Sequence, residues 1–498
     1  MCGSHQLIAI QAEALNRNMK RIIICFDGTF DDTGDTPERT KPGSTVSRLS
    51  RWILPPLLWQ ILWVLRIFAV FKWIEHGLLG LGPNTGETLV TNASLLASAI
   101  KPLGHIAKDE GAQLGVHQMV LYIGGIGALG NPQSRVEEAV TGNTMTYKVR
   151  YAYRLIVDNY HSGDEIFVFG FSRGAFAARA LAELINYQGI LKKSAIADFD
   201  NAWSDFIRPD RAHKSSVKDR SELQEEEEVT DPDDRVHEKR SIRCIGVWDT
   251  VGSLGPPPLF FIHRDDASTA HAAHRRHGHF DIGQKPKTDY AFHALALDER
   301  RFDFYPALWA LPTQEPYPER YCQTWFSGVH TDVGGGKVGG LSQYALMWMV
   351  SKIQEDGLLD LDEDFVQTAI IKPMEDAPPP WDIAIRGRDY IERLVPRLGR
   401  YLPRVVKDAF RTAHRHPYIP ATVTRETPVG AASSTHSKLH WSVVERTRRS
   451  RGAYWASCPT LRKRDPAASE GPREEDIQEH MERPVGKDLE LMQHFCNL

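Results

Sequence analysis

The sequence predicts an α/β fold, a mostly parallel sheet with helices on both faces. Three observations lead there. Short, nearly continuous apolar runs recur at 21–26, 118–123, 166–169, 242–248 and 322–326, as expected of strands covered on both sides. Helical spacing of apolar residues appears between or after them, at 144–159, after Gly174 and at 341–354. Each run stops at a loop rich in glycine, or at an acid. Such a sheet gathers its polar groups in this way along its carboxyl edge.

Size and composition agree. At 498 residues the chain is long enough for one large core with insertions, or for two to three domains. Apolar residues make up 42% and charged residues 25%, the balance of a soluble globular protein. The net charge of -4 gives no overall basic field, which argues against a nucleic-acid partner. Six cysteines (Cys2, Cys25, Cys244, Cys322, Cys458, Cys496) are scattered without a C-x-x-C pair. Three of them fall in or beside predicted strands, where cysteine acts as a small buried hydrophobe, so a reducing compartment fits better than a disulfide framework. The first twenty residues show no secretory pattern and Cys2 excludes the myristoylation pattern. The expected location is cytoplasmic, peripheral to or embedded at a membrane.

The first strand, 21–26, ends at Asp27-Gly28-Thr29. This loop reads either as an oxyanion-hole contributor or as a plain turn. Residues 52–74 hold one charge, Arg66, between Trp52 and Phe71. The length would cross a bilayer, but Arg66 and Pro55-Pro56 oppose a span. A membrane-contacting insertion, a single span and a buried helix all remain open. The run at 118–130 reads as a strand ending in Gly125-x-Gly127-x-x-Gly130. Asn131-Pro132 follows where a helix should continue, so a glycine-rich loop fits better than a dinucleotide fingerprint.

The stretch 164–185 carries the main signal. Ile166 to Phe169 is a strand, Gly170-Phe171-Ser172-Arg173-Gly174 a sharp turn, and the alanines with Leu181, Leu184 and Ile185 a helix. Strand, turn and helix with a serine at the apex describe a nucleophile elbow, with Ser172 as nucleophile. Residues 205–241, with four consecutive glutamates from Glu225, read as a polar insertion rather than an acidic metal site. Strand 242–248 ends at Asp249, an acid pointing to the same sheet edge as Ser172. His271, His274, His277 and His279 lie within nine residues, but two arginines interrupt them and no carboxylate completes a ligand set, so a solvated loop is expected and no metal. Strand 322–326 leads into a glycine-rich loop with His330, the candidate general base. Asp332 competes with Asp249 for the role of orienting acid, and Asp27 is a further supporting candidate. Residues 384–416 read as basic amphipathic helix, either a solvated face or a contact for anionic headgroups. Residues 446–498 are polar, with 489–495 a segment that could dock. The expected organisation is an extension at 1–19, a catalytic domain at 20–380 with insertions at 52–82 and 205–241, a basic helical region at 381–445 and a polar tail at 446–498.

Four patches, taken in order, resemble one family: Cys25-Phe26-Asp27-Gly28-Thr29, Gly170-Phe171-Ser172-Arg173-Gly174-Ala175, Val247-Trp248-Asp249-Thr250-Val251-Gly252 and 328–336 around His330. Residues 294–300 and His440-Trp441-Ser442-Val443 are similar to further blocks of it. The family is the α/β-hydrolase group of the type VI secretion phospholipase effectors and their fungal relatives. The resemblance implies an α/β-hydrolase-like fold and a serine esterase or lipase with Ser172, His330 and Asp249 as its triad. The amide of Arg173 and one from the Gly28–Thr29 loop would bind the oxyanion. It implies a lipid or ester substrate and no cofactor. A soluble esterase for small esters, and a membrane-associated scaffold on an inactive hydrolase fold, are the rival readings.

Overall fold

The computed structural model describes residues 19–28, 90–107, 113–124, 143–207, 235–237, 242–251, 287–299, 304, 306–309, 311–312, 320–336, 340–383, 385, 433–434, 437–449 and 481–496. The apolar stretch 52–74, most of the acidic insertion 205–241, the glycines at 125–130, the histidines at 271–279, the basic region 384–416 apart from residue 385, and Thr29 lie outside the described residues. Among the described residues no helix is long and apolar enough to cross a membrane, and no group of metal-ligating side chains is placed to hold an ion.

The main sheet is built from β1 (Lys20–Phe26), β3 (Leu103–Ala107), β4 (Gln113–Ile123), β5 (Glu165–Phe171), β6 (Ile242–Trp248), β7 (Thr288–Ala296), β9 (Tyr321–Phe326) and β12 (Lys438–Leu439). Their order across it is β12-β9-β7-β6-β5-β1-β4-β3. Every neighbouring pair is parallel except β3–β4 at one edge. Two short ladders flank the sheet: β2 (Val90–Thr91) with β10 (Gly335–Gly336), and β8 (Leu311–Pro312) with β11 (Ser433–Ser434). The chain leaves β1 for β4 on one side and returns to β5 on the other, so β1 lies at a point where the winding reverses. In open α/β sheets the crevice beyond such a point is where ligands bind.

Successive strand residues face opposite sides, and both sides are covered. Ile22, Ile24, Phe26, Ile166 and Val168 pack under α2 (Asn143–Asn159) and α3 (Arg173–Gln188), meeting Val149, Tyr153, Leu181 and Leu184. The alternate residues Ile23, Cys25, Phe167, Phe169 and Phe171 meet Leu96 of α1 (Asn92–Ala99) and Met347, Val350 and Ile353 of α6 (Ser342–Glu355). Each such aliphatic or aromatic side chain contributes about 1.5–3 kcal/mol by leaving water. Helix α4 (Phe199–Phe206) adds Trp203 and Phe206 to the first side.

Three strands of the main sheet, β3, β7 and the two-residue β12, were not legible in the sequence. β7 reads Thr-Asp-Tyr-Ala-Phe-His-Ala-Leu-Ala, with little β-branching and no alternation. Its central position buries both faces and removes the alternating signal. β3 contains a glycine and a histidine and is an antiparallel edge. The segment 489–495 falls in α8 (Gly486–Cys496), which packs on α6 through the buried Leu491. Polar anchors accompany it. Asp488 accepts from Trp441 Nε1 at 2.8 Å and lies 3.1 Å from His440 Nε2. Glu482 accepts from Trp348 Nε1 at 3.0 Å and pairs with Lys352 at 3.1 Å. His440 and Trp441, at the start of α7 (Trp441–Arg449), are thus structural anchors of the sheet's β12 edge.

Candidate active site

The turn after β5 is forced by its neighbours. Ser172 has φ 58° and ψ -122°, a conformation side-chain-bearing residues seldom adopt, and it caps the start of α3. Its amide donates to Trp248 O of β6 at 3.0 Å, which ties the apex to the adjoining strand. The flanking glycines allow close backbone contact. A Cβ on Gly170 would lie 2.5 Å from Gly174 O, and one on Gly174 2.5 Å from Asp27 O. The Gly-x-Ser-x-Gly pattern is therefore a packing requirement of strand, helix and β1 loop together.

Asp249 follows β6 with φ 42°. Its amide donates to Ala294 O (2.8 Å) and its Oδ1 accepts the Ala296 amide (3.0 Å), both on β7. Its Oδ2 lies 2.6 Å from His330 Nδ1. His330 opens the short helix α5 (His330–Gly334), and its Nε2 lies 2.7 Å from Ser172 Oγ. A carboxylate only accepts, so Nδ1 carries the hydrogen and Nε2 is left to take the serine proton. Ser172 is 6%, Asp249 0% and His330 4% exposed. Phe171 and Phe304 flank the imidazole at ring-centroid distances of 4.7 and 4.8 Å. The chain of polar contacts therefore lies in an apolar, water-poor setting, where electrostatic interactions strengthen.

The other predicted residues take different places. Asp332 Oδ2 accepts the Val329 amide at 3.1 Å, so it holds backbone of the histidine loop while Asp249 holds the ring. Asp27 is buried; its Oδ1 accepts the Gly28 amide (2.7 Å), and its Oδ2 accepts from Thr91 Oγ1 (2.9 Å) and from the Tyr122 hydroxyl. Burial raises its carboxyl above the ordinary range, against the opposing pull of those hydrogen bonds and of Lys148. The Gly28 amide is thus engaged by Asp27. Arg173, half-buried at the first position of α3, has its guanidinium lowered by burial to about 10 and stays charged at neutral pH.

Further residues of the site escaped the sequence reading. Glu299 Oε2 accepts the His330 amide at 3.2 Å, and Asp298 Oδ2 accepts the Gly328 amide at 2.7 Å. His293 is fully buried and its Nε2 accepts the Thr250 amide at 3.3 Å. The signal available for Asp298 and Glu299 was the likeness of residues 294–300 to a family block, which carried no role with it.

Comparison with known proteins adds an independent line. Residues 83–352 match the family described as type VI secretion system phospholipase effector Tle1-like, catalytic domain. An uncharacterized protein of Saccharomyces cerevisiae is 30% identical over 155 residues, which cover 31% of this chain and 20% of that protein. Among solved structures, the Tle1 effector bound to the VgrG spike of the type VI secretion system is similar, with 20% identity, 64% of this chain and 52% of that chain covered, and a TM-score of 0.29. An uncharacterized protein from Pseudomonas aeruginosa is 15% identical, with 98% and 64% of the two chains covered and a TM-score of 0.36. The chain therefore spans a fifth of the yeast relative and between half and two thirds of these two structures. By the match over residues 83–352, more than half its length, the chain belongs to the Tle1-like family of type VI secretion phospholipase effector catalytic domains.

Proposed function

We propose that the protein is a serine hydrolase that cleaves carboxylic esters through an acyl-enzyme, with phospholipid acyl esters as its substrates. The observation that carries this reading is the continuous contact from Ser172 Oγ to His330 Nε2 (2.7 Å) and from His330 Nδ1 to Asp249 Oδ2 (2.6 Å). Membership in a phospholipase effector family supports the substrate class. His330 accepts the Ser172 proton as Oγ attacks the ester carbonyl, and Asp249 fixes the tautomer and stabilises the imidazolium. His330 then returns the proton to the leaving alcohol. Water, activated the same way, releases the acid.

The amide of Arg173, at the start of α3, is the first oxyanion donor, helped by the positive end of the helix. With the Gly28 amide held by Asp27, we assign the second donor to the amide of Thr29. Loss of one such donor typically lowers the rate by about 10²–10³. We place this action at a membrane surface, with the apolar stretch 52–74 and the basic region 384–416, by their composition, as the contacting segments.

The test is fluorophosphonate labelling of purified wild type and Ser172→Ala, with phosphatidylcholine vesicles and a short-chain nitrophenyl ester assayed in parallel. The proposal expects labelling that disappears in the variant and faster turnover of the vesicle lipid. Turnover of the short ester alone would replace the lipid substrate with a soluble one. Folded protein with neither labelling nor turnover would favour a binding role on an inactive fold.

A further inference from the structure

Three successive amides of the histidine loop are each held by a different carboxylate. Asp298 takes Gly328 N–H at 2.7 Å, Asp332 takes Val329 N–H at 3.1 Å and Glu299 takes His330 N–H at 3.2 Å. All three acids are buried, with exposures of 5%, 6% and 3%. One segment does much of this work. The carboxyl end of β7 and its continuation supply Ala294 O and Ala296 N–H to Asp249, then Asp298 and Glu299 to the histidine loop. The same segment thus sets the acid and the base in register. Satisfying an amide needs only an acceptor, and a neutral side chain or a carbonyl would serve. Placing charged groups there adds a field at the imidazole.

We propose that Glu299 is a positioning residue that acts on His330 twice, by fixing its backbone through the amide and by adding a negative charge to that of Asp249, which favours the imidazolium formed when Ser172 gives up its proton. The inference rests on the serine-hydrolase reading above and deepens it. Among the described residues, the acids that contact His330 or its loop are Asp249 from the end of β6, Asp298 and Glu299 from the end of β7, and Asp332 from α5 itself, with Arg173 next to Ser172 in the chain; Phe171 and Phe304 supply the apolar walls. A charge in this setting is weakly screened, so its removal is felt by the ring.

The test is Glu299→Gln, which keeps an oxygen acceptor for the His330 amide and removes the charge. Two readouts are taken. The first is the pH dependence of fluorophosphonate labelling, whose acid limb follows deprotonation of the base. The second is the titration of the His330 imidazole by NMR in the Ser172→Ala background, which needs no activity. Removing a neighbouring negative charge makes the imidazole easier to deprotonate. The acid limb and the NMR midpoint should both move down by about one pH unit, and the plateau rate should fall about tenfold. An unshifted midpoint with wild-type labelling would overturn the proposal, leaving Glu299 a neutral acceptor in effect. If wild type itself fails to label, the nucleophile reading falls, and the NMR midpoint alone decides the influence of Glu299 on the ring. Should Glu299→Gln not fold, Glu299→Asp keeps the charge and withdraws the acceptor. It should hold the acid limb in place and slow labelling, and a wild-type rate there would equally overturn the proposal.

Discussion

Ser172 and Asp249 stand directly after adjoining strands, and among the described residues they are the two non-glycine positions with positive φ, 58° and 42°. The amide of Ser172 donates to the carbonyl of Trp248, the residue before Asp249. The two unusual backbones therefore brace one another across the sheet edge. Conformations of this kind cost about 1–3 kcal/mol each and persist where the surroundings over-determine them.

Replacing the serine separates strain from chemistry. Ser172→Ala and Ser172→Gly both remove Oγ, but only glycine relaxes at this φ. We expect Ser172→Gly to be more stable than Ser172→Ala by about 1 kcal/mol. For a chain of 498 residues calorimetry would register this as a melting point higher by about 1 °C. Equal melting points would mean that the backbone stores no strain.

The two acids near the base should behave differently. Asp249 contacts the imidazole at 2.6 Å, whereas Asp332 contacts the Val329 amide. Asp249→Asn is expected to slow labelling by about 10⁴, the penalty of the wrong tautomer. Asp332→Asn retains an acceptor for the amide and leaves the ring on Asp249, so it should cost no more than about tenfold. Parallel single-turnover labelling of the two variants gives the comparison, and a larger loss in Asp332→Asn would reverse the assignment.

Asp27 gives a pH signature in stability. Burial raises its carboxyl above the ordinary 3.8, so the native state favours the protonated form. Its contribution to stability is fully present below about 3.8 and is lost as pH rises through the raised native value. Asp27→Asn stays neutral throughout, and the hydroxyls of Thr91 and Tyr122 can turn to accept from its amide. The variant should match wild type near pH 4 and melt at a higher temperature at pH 7. A gap that fails to widen between those pH values, measured by thermal unfolding, would remove the argument.

The second anchor of the C-terminal segment predicts large losses. Removing one partner of a buried pair leaves the other without compensation, at about 3–5 kcal/mol. Glu482→Ala strands Lys352 and Trp348, and Asp488→Ala strands His440 and Trp441. Urea unfolding should show each variant destabilised by about this amount, in contrast to Glu363→Ala at the exposed pair with Lys487, which should change stability by less than about 1 kcal/mol.

Much of this arrangement was legible in the sequence. Ser172, Asp249 and His330 each follow an apolar strand, and a parallel sheet brings strand ends to one edge whatever their separation in the chain. The packing logic of Gly170 and Gly174 was also visible, as a motif. Other parts had no local signature. β7 is alanine-rich and buried on both faces, so its pattern resembles neither an alternating strand nor a helix. Asp298 and Glu299 act on backbone amides of the histidine loop 30 and 31 residues further on, and a carboxylate that caps so distant an amide has no fixed spacing from it. The docking of Glu482 and Asp488 depends on contacts more than forty residues away in the chain, beyond any window of periodicity.

The anchoring of residues 481–496 also sets an order of events during synthesis. Lys352 leaves the ribosome 130 residues, and Trp348 134 residues, before Glu482, the acid that pairs with the first and accepts from the second. At the usual pace of translation that interval lasts roughly ten seconds. Throughout it α6 holds a cation and a tryptophan that have not met their partner. One flank of the nascent chain therefore waits for its last segment, while the strands from β4 to β6 already have their neighbours. Arrest of translation within that window would yield a chain whose elbow strand is paired and whose far edge is open to other polypeptides.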